Sequence, residues 1–123
     1  MTGMRHDEHL LLEAGELILI TASRVSGEAH ETALPFVYED GVVYLLAHAG
    51  EEAEWYRDLE KDRGVVLRLK RRGFRGRATL LDVRHRPKVA ARIAALFKRK
   101  YGTAAFEEWD ETEQMPVAID VQF

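Results

Sequence analysis

Glu16-Leu17-Ile18-Leu19-Ile20-Thr21-Ala22 runs into Ser23-Arg24-Val25-Ser26-Gly27, and Thr32-Ala33-Leu34-Pro35-Phe36-Val37-Tyr38 follows a few residues later. The first run is apolar and rich in β-branched residues, and the last resumes that pattern, so the stretch reads as strand, turn and strand. The turn carries one Arg, two Ser and one Gly. A guanidinium fork, two hydroxyls and free backbone N–H groups are what hold a phosphate or a carboxylate. A second reading stays open, in which Arg24 is a solvated turn residue and Gly27 only supplies a positive φ.

Working outward, strands are expected at about 16–23, 31–38, 42–48, 65–70, 74–83 and 117–123. Asp40-Gly41 between two apolar runs is the strongest hairpin signal. Pro35 lacks an amide donor and predicts an edge or bulged position in the second strand. Arg71-Arg72-Gly73 is read as the turn of a second hairpin, and Gly76 as a bulge or a close approach of another backbone. Helices are expected over His6–Ala14, Glu51–Lys61, from Pro87 to Tyr101, and at Ala104–Trp109. Glu51, Glu52 and Glu54 favour the start of the second of these, and Trp55 and Leu59 share one of its faces. Pro87 opens the third, Val89, Ile93, Leu96 or Phe97, and Tyr101 form its stripe, and Gly102 ends it. Six strands with peripheral helices suit a small, mainly antiparallel α+β barrel and not a doubly wound sheet.

The chain has 123 residues, 46% hydrophobic and 32% charged, which is one globular domain (1–123) with a core of its own. Cys is absent, so disulfides and thiolate metal sites are excluded. The apolar runs are too short to span a bilayer, and the charged N-terminus has no signal-peptide core, so a cytoplasmic protein is expected. The net charge of −3 hides a segregation: residues 63–100 hold fourteen Lys or Arg against the single acid Asp82. Such a block points to a polyanionic partner, or to basic strands facing acidic elements. One aromatic among many bases in Arg68–Arg75 gives thin support for nucleic acid. No nucleophile elbow, Walker loop or metal helix is present, and the five histidines are scattered, so no metal site is expected.

Taken together, the strand, the Arg-x-Ser-Gly turn, the strand with Tyr38, Asp40-Gly41, the next strand and Trp55-x-x-Asp58-Leu59 resemble a known family. It is the deazaflavin-dependent nitroreductases of the split-barrel flavin-reductase, or pyridoxamine phosphate oxidase-like, superfamily. The resemblance covers roughly residues 15–122. Ser23 stands where that family has the first Gly of its turn, and Asp58 where it has Asn. The resemblance implies a six-stranded split β-barrel, an 8-hydroxy-5-deazaflavin coenzyme (factor 420 type), and hydride transfer to a quinone, enone or nitroaromatic. A homodimer with sites near the subunit junction is implied as well. By the same resemblance Arg24, Ser26 and Gly27 bind the coenzyme's phosphate or acidic tail; His30, by its place beyond Arg24, suits a second anion contact. Thr21 and Pro35 run beside the ring, Trp55 closes the site, His48 faces it from the motif loop, and Asp58 takes the place of the Asn.

Each role has a competing reading. Trp55 is more often a core anchor for its helix than a cofactor wall, Asp58 is alternatively a surface partner of Arg57 or Lys61, His30 more often an exposed turn residue, and His48 alternatively a group satisfying a carbonyl. Tyr38 and Tyr56 are candidate proton donors, with structural roles as the alternative, so the catalytic acid stays unassigned. FMN is the alternative cofactor, and a non-catalytic flavin- or ligand-binding protein of the same fold is the alternative function. If the turn is an anion site, Arg24→Ala should abolish affinity while leaving stability nearly unchanged.

Overall fold

The computed structural model describes residues 6–47, 53–82, 85–102 and 115–122. Along the chain these form α1 (His6–Glu13), β1 (Leu17–Ala22), β2 (Ala29–Leu34), β3 (Val37–Glu39), β4 (Val42–Ala47) and α2 (Glu54–Lys61). They continue with β5 (Gly64–Leu69), β6 (Arg72–Leu80), α3 (Pro87–Tyr101) and β7 (Met115–Gln122). The expected helix at Ala104–Trp109, and His48, lie outside the described residues.

The strands make one antiparallel sheet in the order β2-β1-β5-β6-β7-β4-β3. Its two outermost strands are consecutive in the chain, joined only through Pro35 and Phe36. Laid flat, seven strands would set β2 and β3 roughly 29 Å apart at about 4.8 Å per step. The step from Leu34 to Val37 reaches about 10 Å at most. The connection therefore requires the sheet to curl, and this is the α+β split barrel expected from the sequence. The strand count differs by one, since the expected strand 31–38 breaks at Pro35-Phe36 into β2 and β3. Pro35 cannot donate to a ladder, so it ends β2 instead of bulging within it.

Asp40 and Gly41 take positive φ of 49° and 84° and close the β3–β4 hairpin, as their spacing predicts. The other hairpin turns one step earlier than expected, at Lys70-Arg71, with Lys70 at φ 55°. Core register decides this. Leu67 pairs with Phe74 on the buried face, which puts Gly73 opposite Arg68 inside the ladder. Gly76 marks a close approach and not a bulge, since pairing runs unbroken through it.

The interior of the curl is filled by Leu17, Leu19, Val43, Leu45, Leu67 and Ile119, among others, all essentially inaccessible. Leu11 of α1 and Trp55, Tyr56 and Leu59 of α2 join the same cluster. Helix α3 buries Ile93, Ala94 and Phe97. Ile93 and Phe97 form a second cluster with Val37 and Leu81, against which Tyr44, Leu46 and Ala118 pack. Val89, expected on the α3 stripe, is exposed. The outward positions of β1, β5 and β6 are not part of that second cluster.

The last turn of α3 fastens the strand break. The Tyr101 hydroxyl accepts the Phe36 amide at 2.9 Å, and its own proton lies within reach of the Gly15 and Phe36 carbonyls, each at 2.8 Å. Lys100 Nζ donates to the Phe36 carbonyl at 2.9 Å and sits 3.8 Å from the centre of the Phe36 ring. Burial pushes the Lys100 amine down to about 8. Tyr101→Phe leaves the Phe36 amide without this acceptor and should cost about 2 kcal/mol in urea unfolding. An unchanged midpoint at equal slope would mean that the amide finds another partner.

Candidate functional site

The turn between β1 and β2 is built as its sequence suggests, with Gly27 at φ 77°. Its amides, however, are already in use. The Ser23 amide donates to the Glu28 carbonyl and the Gly27 amide to the Ser23 carbonyl, both at 2.8 Å. The Val25 and Ser26 amides both donate to Ser23 Oγ, at 3.3 and 3.4 Å, and the Glu28 amide donates to Ser26 Oγ at 3.2 Å. Arg24 donates its amide to Asp58 Oδ1 at 3.2 Å. Every amide from Ser23 to Glu28 thus has a partner inside the protein.

Asp58 organises this turn from below. Its side chain is 2% exposed, and it is one of two buried polar residues, with Thr21, among the described residues. Oδ1 accepts the Arg24 amide and Arg24 Nη1 at 3.1 Å, while Oδ2 accepts Thr21 Oγ1 and His30 Nδ1, both at 3.0 Å. Because an ionised carboxylate only accepts, the His30 tautomer or ion present carries its proton on Nδ1. Burial pushes the Asp58 carboxyl up, but hydrogen bonds from His30, the Arg24 amide, Thr21 and the Arg24 guanidinium outweigh it and hold the group below its ordinary range. The expectation of a surface pair with Arg57 or Lys61 is corrected: Lys61 Nζ instead donates to the Arg24 carbonyl at 3.0 Å.

The guanidinium of Arg24 is shared out as well. Nη2 lies 2.7 Å from Glu54 Oε2 and Nη1 3.1 Å from Asp58 Oδ1. The hollow of about 340 Å3 at the turn is lined by Arg24 and His30 but also by Glu28, Glu54 and Asp58. An anion entering it would meet three carboxylates. The expectation that Arg24→Ala leaves stability nearly unchanged is revised accordingly, because alanine keeps the amide bond to Asp58 but removes the guanidinium, one of the four donors to that buried carboxylate, together with its pair to Glu54.

Beside the turn, a shallow groove of about 410 Å3 crosses the outer face of β1, β5 and β6. Ile20, Thr21, Gly27, Val66, Arg75 and Gly76 are among its lining residues. Ala29 and the turn connect it to the smaller hollow. The groove floor is small and apolar, and the cation at its side is Arg75.

Of the expected site residues, Thr21, Arg24, Ser26, Gly27, His30 and Asp58 come together here. Trp55 does not face the groove: it is 5% exposed, packs in the core and meets the Tyr56 ring edge-on at 6.2 Å. Pro35 lies beyond the opposite end of β2 from the turn. Tyr38 and Tyr56, considered as proton donors, are buried, and the Tyr38 hydroxyl accepts the Gly41 amide at 3.0 Å. Sequence reading passed over Glu54 and Arg75. The alternation of β6 already sets Arg75 and Arg77 on the face opposite Phe74 and Ala78, but which arginine lacks an acid beside it among the described residues depends on strand register.

Compared with known proteins, the sequence profile of F420H2-dependent quinone reductases matches residues 4–122. The chain belongs to this family. It is therefore a deazaflavin-dependent reductase by family, with F420 as its coenzyme, and the FMN alternative is not needed. No curated protein sequence matches the chain. Solved structures agree on the fold of this family member. An F420 reductase superposes with a TM-score of 0.68 at 16% identity, over 98% of this chain and 97% of its own. HutZ, the heme storage protein of Vibrio cholerae, gives 0.73 at 16% identity, over 98% and 92%. A candidate 5-nitroimidazole antibiotic resistance protein of Bacteroides thetaiotaomicron gives 0.75 at 14% identity, over 100% and 82%. At such identities the likeness extends to the fold alone.

Proposed function

We propose that this protein uses reduced F420 to reduce an electron-poor small molecule, a quinone, an enone or a nitroaromatic. The family match over residues 4–122 carries the reading, and the groove beside the 23–27 turn supports it. When bound, the reduced deazaflavin supplies the hydride, so the protein needs to bind and orient the reactants. Ile20 and Val66 offer the apolar floor, and Thr21 and Asp58 hold the turn at its end. The buried tyrosines are held in structural contacts, so the proton that completes reduction comes from water in the open groove. The chain acts as one domain in the cytoplasm and pairs into a homodimer.

Fluorescence titration with F420 and with FMN tests the cofactor. Saturable binding of F420 with FMN much weaker is expected, and the reverse preference, or binding of neither, would overturn the reading. Reoxidation of the bound reduced coenzyme should be fastest with one of a quinone, an enone and a nitroaromatic. No oxidation by any of the three would exclude the proposed substrate class.

A further inference from the structure

The outer-face row through the groove runs Glu31, Ile20, Val66, Arg75 and Gln122, each paired with the next across adjacent strands. Arg75 is thus flanked by Val66 and Gln122, neither of them charged. The one acid in the row, Glu31, is taken by Arg68 at 2.5 Å. Arg77, one step along β6, faces Asp120 across the ladder. Arg75 is exposed, lines the groove, and has no ion pair among the described residues. Arg24, by contrast, is held by Glu54 and Asp58.

Resting on the F420 reading, we propose that Arg75, and not Arg24, anchors the anionic part of the coenzyme in this groove. A free guanidinium gains a charge-assisted pair on binding an oxyanion, whereas Arg24 must first leave two carboxylates. Lys or Arg held in an internal pair contributes little to a ligand, because the gain is offset by the pair it breaks. The small residues at Gly27, Ala29 and Gly64 let the ligand approach the backbone near Arg75. Both a phosphate and the carboxylates of an acidic tail carry the chemistry that Arg75 would recognise.

The test is a set of fluorescence titrations on wild type, Arg75→Ala, Arg24→Ala and Arg77→Ala. Three probes are used: F420, F420 without its glutamates, and the deazaflavin without phosphate or glutamates. Arg75→Ala should weaken F420 by about tenfold or more and leave the phosphate-free form unchanged. Arg77→Ala should shift F420 affinity by no more than about twofold, and Arg24→Ala, its fold checked by the urea midpoint, should shift it far less than Arg75→Ala. A loss that persists without glutamates assigns the phosphate to Arg75, and one that disappears assigns the tail. Equal losses in Arg75→Ala and Arg77→Ala would reveal a diffuse field and overturn the proposal, as would a loss confined to Arg24→Ala. Unchanged affinity in Arg75→Ala overturns it while the F420 reading stands, and a wild type that binds no F420 overturns both. Sedimentation of Arg75→Ala accompanies the titrations, and altered oligomeric state would place Arg75 in a contact between copies instead.

Discussion

Asp58→Ala is expected to destabilise the protein by about 3 kcal/mol, the scale of breaking a buried charge pair from one side. The carboxylate satisfies four donors on three segments: Thr21 on β1, two groups of Arg24 in the turn, and His30 on β2. Alanine leaves the buried Thr21 hydroxyl and the Arg24 amide without this acceptor and fills none of the space. Asp58→Asn keeps one oxygen for Arg24, while its amide nitrogen can donate to the other ring tautomer of His30. Its loss should therefore be about half as large. The pH dependence has a definite sign. Because the folded-state pKa of Asp58 is depressed, its contribution is complete above the ordinary carboxylate range and is lost as pH falls through the folded value. Urea midpoints measured from pH 7 down to pH 3 should fall more steeply in wild type than in Asp58→Asn. Parallel profiles would mean that the carboxylate is not what the acid removes.

Gly76→Ala should lower stability by about 2 kcal/mol, although alanine ordinarily improves a strand. A Cβ at this position would lie 2.5 Å from Ile119 Cγ2 and 3.0 Å from the Asp120 carbonyl. Ile119 is fully buried, and the carbonyl belongs to the β7 backbone, so neither can swing away. The strain must separate β6 from β7 next to the groove that Gly76 lines. The thermal midpoint should drop by roughly 8 °C for a chain of this size. An equal or higher midpoint would show that Ile119 repacks freely.

Much of the architecture was legible from local chemistry. The alternation of β1 and β5, the Asp40-Gly41 turn and the Pro87-to-Gly102 helix are each set by contacts within a few residues, so short-range rules recover them. Where the rules failed, distant packing had overruled them. Leu67 against Phe74 moved a hairpin turn away from Gly73, because burying two large side chains outweighs the preference of one glycine for a turn. Pro35 was read as an edge or bulged position within one strand, and only closure of the curled sheet shows why the strand breaks there: Pro35 and Phe36 join its first and last strands.

The site divides in the same way. Composition alone placed an Arg, two Ser and a Gly in a turn fit for an anion. That the turn is internally satisfied depends on Asp58, thirty-four residues beyond Arg24, and on Glu54 one helical turn before it. Likewise the sequence marked residues 63–100 as basic, but it could not rank their arginines. Strand register did so, by giving Arg68 the carboxylate of Glu31, setting Arg77 opposite Asp120, and leaving Arg75 between Val66 and Gln122. Electrostatic availability is a property of neighbours, and neighbours across a sheet are chosen by the whole fold.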